Sequence, residues 1–355
     1  MKTVIVVPTY NERENLTRLL PKLLAYKGVH VLVVDDNSPD QTAEVVKKHS
    51  SKRVHLLLGE KRGLGVAYTR GMQYALNELD AEVIVEMDAD HSHDPADLKR
   101  LFAALEAGAD VAIGSRYVPG GSIEGWGFVR HTTSWGGNMV ARLIAGLYRV
   151  RDCTAGFRAI KRWVLEGVDW SSLSTRGYGF QIRLLYEAKR QGAVIKEIPV
   201  TFTDRAVGAS KLGVRDIAEF FLTAVKLGFW TYQRILIFLL VGLSGLIVNL
   251  GVFSLFLRVL EAPFLLALAI GIEVSILSNF FLHDHFTFFD RHTGTKLSRM
   301  GKYHVTSFGG MAINFLVASA LFYWTALHPE LANLVGILVA TGWNFSLSFF
   351  WAWKR

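Results

Sequence analysis

The sequence predicts an α/β head built on a doubly wound, mostly parallel sheet, followed by an all-α domain of four transmembrane helices. Three observations carry that prediction. Short apolar runs alternate with helical patterns from residue 3 to about 115, as strand–helix–strand units do. Polar clusters stand at the carboxyl ends of those runs, where doubly wound sheets place their ligands. Beyond residue 234 the chain becomes predominantly apolar, raising the overall apolar content to 51% and the aromatic content to 12%. A length of 355 residues exceeds one comfortable core. The expected division is a head at 1–214, an amphipathic interface segment at 215–234 and a membrane domain at 235–355.

In the head, Val4–Val7 reads as a buried strand leading into Pro8-Thr9-Tyr10-Asn11-Glu12. A helix is expected from Asn11 to about Ala25, with Leu16, Leu19, Leu20, Leu23 and Leu24 on one face. Val29–Val34 is the second strand and ends in Asp35-Asp36-Asn37-Ser38. A helix from about Gln41 to His49, a strand at Val54–Leu58, and a helix opened by Gly63-Leu64-Gly65 and running to about Leu79 come next. Val83–Met87 and Asp110–Ile113 complete the expected strands, and Asp88-Ala89-Asp90 and Gly114-Ser115-Arg116 follow them.

Asp88 and Asp90, one residue apart at a strand end, fall on the same side of an extended backbone. Two such oxygen donors suit a hard divalent cation, Mg or Mn, and through it a diphosphate. An isolated Asp-x-Asp is commonly a solvated turn; the weight here comes from four polar clusters coinciding. His91 and His93 offer nitrogen, which suits transition metals better than a cation held between phosphates. No Gly-x-Gly-x-x-Gly follows the first strand, and no Gly-x-x-x-x-Gly-Lys-Ser/Thr occurs. A nucleotide is therefore expected to be held by carboxylates and a metal, without a phosphate-cradling loop. Lys61-Arg62-Gly63-Leu64-Gly65 is a weak glycine-rich signal that also fits a plain turn. The formal charge of +8 fits anionic substrates or anionic lipid, and no nucleic-acid partner is expected. A single cysteine, Cys153, excludes an intramolecular disulfide and reads as a small packing residue. Met1-Lys2-Thr3 runs straight into a strand without a secretory h-region, which places the head in the cytoplasm.

The motifs occur in the order VVPTYNERENL, VVDDNSPD, MDADHSHDP, IGSRYVPGG, Gly156-Phe157, GYGFQI and FTDRAVGASKLG. With them, the first 215 or so residues resemble the polyprenyl-phosphate (dolichol-phosphate) mannose synthases, inverting glycosyltransferases of GT-A fold. His91 departs from the apolar residue usual at its position, and Asp94-Pro95 lies in a variable stretch. The resemblance implies transfer of mannose from GDP-mannose to a polyprenyl or dolichyl phosphate. It implies that Pro8, Tyr10, Glu12, Val34 and Asp36 hold the nucleoside. Asp88, Ala89, Asp90 and Ser92 then bind the sugar nucleotide, with Asp90 and Ser92 at the metal. Arg116, Arg130, Arg205 and Lys211 match positions lining the phosphates of donor and acceptor; Asp88, Asp90, Arg116 and Arg130 form the catalytic set. Arg130, flanked by Trp126 and Phe128, suits a membrane–water boundary where a lipid phosphate arrives. Asp204-Arg205 through Ser210-Lys211 reads as a loop able to close over the diphosphate. A lipid phosphate is already anionic near neutral pH and needs no general base. The chemical task is to neutralise phosphate charge and stabilise the departing diphosphate.

Four apolar spans are expected at about 235–257, 264–282, 305–327 and 331–353, each near the ~20 residues that cross a bilayer core. An even number returns the C-terminus to the side of the head. Arg291, Lys296, Arg299 and Lys302, with Lys354-Arg355, place both termini in the cytoplasm of a cell-membrane protein. Before the first span, Ile217, Phe220, Phe221, Ala224, Val225 and Phe229 form an apolar stripe, which fits a membrane-surface helix or ordinary packing. Gly245 and Asn249 match Gly310 and Asn314, and Gly271 and Asn279 match Gly336 and Asn344, all offset by 65 residues. Two parallel helical hairpins are expected, with small residues at contacts and Asn side chains bonding between helices. Glu273 has Leu338 as its counterpart, and a carboxylate inside a span is either a functional site or a satisfied packing residue. The membrane part resembles the GtrA-like four-helix domain.

Three other functions compete. A UDP-glucose-dependent transferase on the same lipid differs in few contacts. A processive polysaccharide synthase is disfavoured because Gln-x-x-Arg-Trp is absent. A non-catalytic lipid-phosphate translocator or scaffold has no need of the intact acidic pair and basic set.

Overall fold

The computed structural model describes residues 1–49, 51–173, 177, 179–204, 213–291, 294–325 and 327–354. The chain divides into two units, Met1–Thr231 and Tyr232–Arg355. The head opens with β1 (Thr3–Thr9), α1 (Arg13–Leu24), β2 (Val29–Asp35), α2 (Thr42–Lys48), β3 (Val54–Leu58), α3 (Leu64–Asn77) and β4 (Val83–Glu86). It continues with α4 (Leu98–Glu106), β5 (Val111–Ser115), β6 (Ser122–Glu124), α5 (Phe128–Leu143) and β7 (Arg158–Lys161). Next come α6 (Arg162–Glu166), α7 (Gly179–Arg190), β8 (Ile195–Pro199) and β9 (Thr201–Thr203).

Seven strands form one sheet in the order β3-β2-β1-β4-β7-β5-β8. β7 runs antiparallel between β4 and β5, and the remaining pairs are parallel. The expected strands correspond to β1–β5, whereas β7 and β8 lie outside the apolar runs. Arg158, Lys161, Lys196 and Glu197 break the alternation in both. Period-two alternation sorts β1 onto two faces. Val4 and Val6 pack with Tyr68 and Met72 of α3, while Ile5 and Val7 pack with Leu16, Leu19 and Leu20 of α1. Helix α3 comes close because Gly71 has no side chain; a Cβ there would lie 2.5 Å from Val6 Cγ1.

Helix α8 (Val214–Ser254) runs through the segment expected at the interface and into the first span. Its apolar stripe divides. Phe220 and Ala224 are buried in the head core with Leu227, while Ile217, Phe221, Val225 and Phe229 are exposed.

The second unit contains α9 (Phe264–Leu282), α10 (Lys296–Trp324) and α11 (Pro329–Leu347). Among the described residues, four helices are long and apolar enough to cross a membrane: Arg215–Val259, Leu265–Thr287, Lys296–Leu321 and Leu334–Ala352. The third begins well before residue 305. Its early turns carry Arg299, which is buried in a bidentate pair with Asp284 at 2.9 and 3.2 Å and is no free loop charge.

The 65-residue repeat is visible as packing. A Cβ on Gly245 would lie 2.2 Å from Asn279 Nδ2, and one on Gly310 would lie 2.2 Å from Asn344 Oδ1. Helices meet there because glycine leaves room for the amide. The expected bonding is not made by the amide oxygens: Oδ1 of Asn279, Asn314 and Asn344 is buried without a hydrogen-bond partner among the described residues. π-Helical turns at His283–Thr287 and Ser348–Ala352 obey the same offset. Glu273 is a partnered residue, its Oε1 lying 3.0 Å from His304 Nε2.

Gly245→Ala and Gly310→Ala are each expected to lower the melting temperature of detergent-solubilised protein, at an overpacking cost of about 1–3 kcal/mol. Asn279→Ala should relieve most of the Gly245→Ala loss, since it removes the atoms the new methyl meets. Additive losses in the double variant would contradict the contact.

Candidate active site

Parallel pairing puts the carboxyl ends of β2, β1 and β4 side by side. Pro8 lies near the end of β1 with Tyr10 and Glu12 just beyond it; Val34 lies near the end of β2 with Asp36 after it; Asp88, Ala89, Asp90 and Ser92 follow β4. Each of these three loops turns through a left-handed residue that is not glycine: Asn11, Asn37 and His91, with φ of 61°, 54° and 61°. Asn tolerates that region well and His less so, and such turns concentrate at functional sites. Asp35 braces the first two loops. Its Oδ1 accepts the Thr9 hydroxyl at 2.8 Å, and its Oδ2 accepts the Ser38 N–H at 3.0 Å.

A cavity beside β4 brings together Asp88, Asp90, Arg116 and Arg130, with Tyr68, His93, Trp126, Gln181 and Phe202 around them. The two arginines approach from different elements. Arg116 leaves the end of β5, and Arg130 sits in the first turn of α5. Both stack on one indole: their guanidinium carbons lie 5.2 and 4.3 Å from the Trp126 ring centre. Arg205 and Lys211 lie outside the described residues.

Each carboxylate of the acidic pair is held. The Tyr68 hydroxyl donates to Asp88 Oδ1 at 3.0 Å, and the Ser92 N–H donates to Asp90 Oδ1 at 3.1 Å. Ser92 itself is buried. The Asp88 N–H donates to His93 Nδ1 at 3.4 Å. Burial pushes the His93 imidazole down to about 4, so the ring is neutral and stacks on Phe157. Beneath Asp88, Glu86 shares its strand face; burial pushes its carboxyl up to about 7. Glu86 Oε2 accepts from Gln181 Nε2 at 2.7 Å, and the buried Arg158, its neighbour across the ladder, donates to the carbonyls of Gln181 and Cys153. Cys153 is buried, and burial pushes its thiol up to about 12, which suits a packing residue.

The pairing of the arginines was not legible: Asp152 carries no signal, and Asp204, within the FTDRAVGASKLG motif, is read there only as part of a closing loop. Arg116 donates through Nε and Nη2 to both oxygens of Asp152, at 2.8 and 2.7 Å, and its backbone N–H adds a third bond at 2.9 Å. Burial disfavours the Asp152 carboxylate, but Arg116 more than offsets this and its pKa is lowered. Arg130 pairs with Asp204 at 2.5 Å. Glu86 was detectable in principle, being a carboxylate within an apolar strand and two residues before Asp88. Tyr68 and Asp152 carry no such signal.

The glycosyl transferase family 2 model matches residues 4–168, and the GtrA/DPMS transmembrane domain model matches residues 237–353. Over 361 residues the chain is 37% identical to the dolichol-phosphate mannosyltransferase of Pyrococcus furiosus, covering 99% of each. The chain belongs to the polyprenyl-phosphate mannose synthases. Two further relatives match the head. Polyprenol monophosphomannose synthase of Mycolicibacterium smegmatis is 44% identical over 61% of this chain and 83% of that protein. Undecaprenyl-phosphate mannosyltransferase of Micrococcus luteus is 39% identical over 64% of this chain and 94% of that one. The chain is thus a glycosyltransferase with a GT-A-like head, and it is a membrane protein.

Asp152→Ala is expected to destabilise the head by about 3–5 kcal/mol, because it leaves the Arg116 guanidinium buried without its anion. Adding Arg116→Met should recover most of that loss. The Asp152 pKa is depressed on folding, so its contribution is present above the unfolded pKa and fades as pH falls through the folded one. Acid titration of the melting temperature should accordingly lose part of its slope in the double variant.

Proposed function

We propose that this enzyme transfers mannose from GDP-mannose to a polyprenyl phosphate, with inversion. The observation that carries the reading is a cavity in which two strand-end carboxylates face two arginines, in a chain related along its whole length to a dolichol-phosphate mannosyltransferase. The names of all three relatives share mannosyl transfer to a polyprenyl phosphate.

The donor set fits a divalent cation. Asp88 and Asp90 are half-buried, line the cavity and offer oxygen, the ligand type that Mg and Mn prefer. Among the described residues, no third His, Cys, Asp or Glu completes a metal cluster with them. Such a pair suits an ion whose other ligands are diphosphate oxygens and water. When bound, that ion supplies positive charge to the leaving diphosphate. Pro8, Tyr10, Glu12, Val34 and Asp36 then hold the nucleoside along the neighbouring strand ends, and Arg116 faces the donor phosphates. His93 is a weak base, and the reaction needs none, because the attacking lipid phosphate is already an anion.

Arg130 is assigned to the acceptor. It lies on α5, whose exposed side chains include Phe128, Val129, Trp135 and Leu143. A phosphate arriving on an apolar tail meets apolar surface there and a guanidinium at its edge. The positive residues flanking the spans support a cell-membrane protein with the head and both termini in the cytoplasm.

Two experiments test these assignments. Asp90→Ala should abolish transfer from labelled GDP-mannose while leaving the melting temperature near that of the parent; transfer at the parental rate would remove Asp90 from the site. Arg130→Ala should lower the specificity constant for polyprenyl phosphate about 10- to 150-fold, the worth of a charge-assisted contact, with little change in the donor KM. A change confined to the donor term would place Arg130 at the nucleotide instead.

A further inference from the structure

Beside the strand ends assigned to the nucleoside stand two cations that the reading above does not use. The Lys61 ammonium lies 3.4 Å from the centre of the Tyr10 ring. Arg70, from α3, donates to Asp36 Oδ1 at 2.8 Å. The passage of that guanidinium is built into the backbone: a Cβ on Gly59 would lie 1.9 Å from Arg70 Nη1. Asp36 is buried; burial raises its carboxyl pKa, while Arg70 and then Lys61 act to lower it. The Asp36 N–H donates to the Thr9 carbonyl at 3.1 Å, which sets Asp36 beside Tyr10 and the lysine over its ring. An exposed lysine ordinarily has no fixed partner worth much. This one is tethered over the ring against which a base would stack, next to a buried carboxylate that Arg70 holds in place.

We propose that Lys61 and Asp36 read the base edge of the nucleotide donor and select guanine, with Arg70 as the positioning residue for Asp36. The inference rests on the nucleoside assignment above. Guanine presents an acceptor, O6, beside two donors, N1–H and the N2 amine. A carboxylate accepts the two donors side by side, and an ammonium donates to O6. Uracil has a carbonyl on each side of its single N–H, so one of them faces a carboxylate oxygen and is repelled. Adenine presents an amine where guanine has O6, and that amine faces the ammonium. A cation next to an anion thus matches guanine and mismatches the other two.

Calorimetry on the detergent-solubilised full chain, with Mg present, tests the idea by comparing GDP, IDP and UDP. IDP keeps O6 and N1–H but lacks the N2 amine. The parent should bind GDP more tightly than IDP, and IDP more tightly than UDP. Lys61→Ala should weaken GDP and IDP about tenfold, the effect of one partly exposed charged hydrogen bond, and leave UDP nearly unchanged. Lys61→Arg should restore part of the preference. Asp36→Asn should narrow the gap between GDP and IDP, and Arg70→Ala should narrow it in the same direction. Equal weakening of GDP and UDP by Lys61→Ala would overturn the proposal, since Lys61 would then be serving the diphosphate. A parent that binds GDP and UDP alike would also overturn it while leaving the nucleoside site standing. A parent that binds none of the three would overturn the nucleoside assignment and this inference together. Lys61 is exposed, so its replacement leaves the core intact.

Discussion

A cavity that receives phosphates must carry cations, and cations in a half-buried cavity need anions of their own when phosphates are absent. That constraint organises the head. Arg116 is paired with Asp152, Arg130 with Asp204, and Arg70 with Asp36. Arg116 and Arg130 also share the face of Trp126, an arrangement of like charges that is tolerable because each has its own carboxylate. The pairs differ in depth. Asp152 is fully buried and takes three bonds from Arg116, which fixes that guanidinium as part of the wall. Asp204 and Arg130 are partly exposed, so exchanging one anion for another costs less there. A fixed arginine agrees with the donor role proposed for Arg116, and an exchangeable one with the acceptor role proposed for Arg130.

The same constraint explains which parts of the site were legible in the sequence. Residues at the ends of β1, β2 and β4 follow apolar runs directly, so period and punctuation reveal them: Tyr10 and Asp36 stand one position past a strand, Asp88 two and Asp90 four. Their partners come from elsewhere. Asp152 precedes β7, and Asp204 follows β9, strands whose pairing no local pattern announces. β7 is inserted antiparallel between β4 and β5 and carries Arg158 into the core. A buried arginine in a strand makes that strand read as surface. Only its carbonyl partners and Glu86 across the ladder show why it is tolerated. Tyr68 is hidden for the opposite reason: its ring reads as core, which it is, and only its hydroxyl reaches Asp88.

In the membrane unit the repeat was legible because it is a translation in sequence, but its geometry was not. The aromatic core at one end is assembled from repeat partners: Phe238 with Tyr303, Phe280 with Phe345, and Phe288 with Trp353 are each 65 residues apart. Phe238 meets Phe345 at 5.3 Å, and the exchanged contact, Tyr303 with Phe280, is made at 6.1 Å. Phe288 stacks on its own counterpart, Trp353, at 4.6 Å. Contacts that survive exchange of the two hairpins, and a residue that meets its own image, define an approximate two-fold relation between them. A sequence offset alone is equally compatible with hairpins stacked head to tail.

That symmetry gives meaning to the positions that break it. Where the second hairpin has Phe349, the first has Asp284, which takes Arg299 and the Trp353 indole N–H at 2.8 Å. Where the second has Leu338, the first has Glu273, which is partnered by His304. Both departures add a carboxylate to the first hairpin, and both recruit a basic side chain from α10, the first helix of the second hairpin. An unpaired carboxylate within an apolar span is costly; a paired one gives a directional link between the helices. The Gly–Asn contacts repeat in each hairpin and set how closely its two helices approach. The two acid–base pairs occur once each and join the hairpins to one another. The Gly–Asn contact is thus duplicated within the hairpins and the aromatic contact between them, while the two acid–base pairs mark where the copies differ.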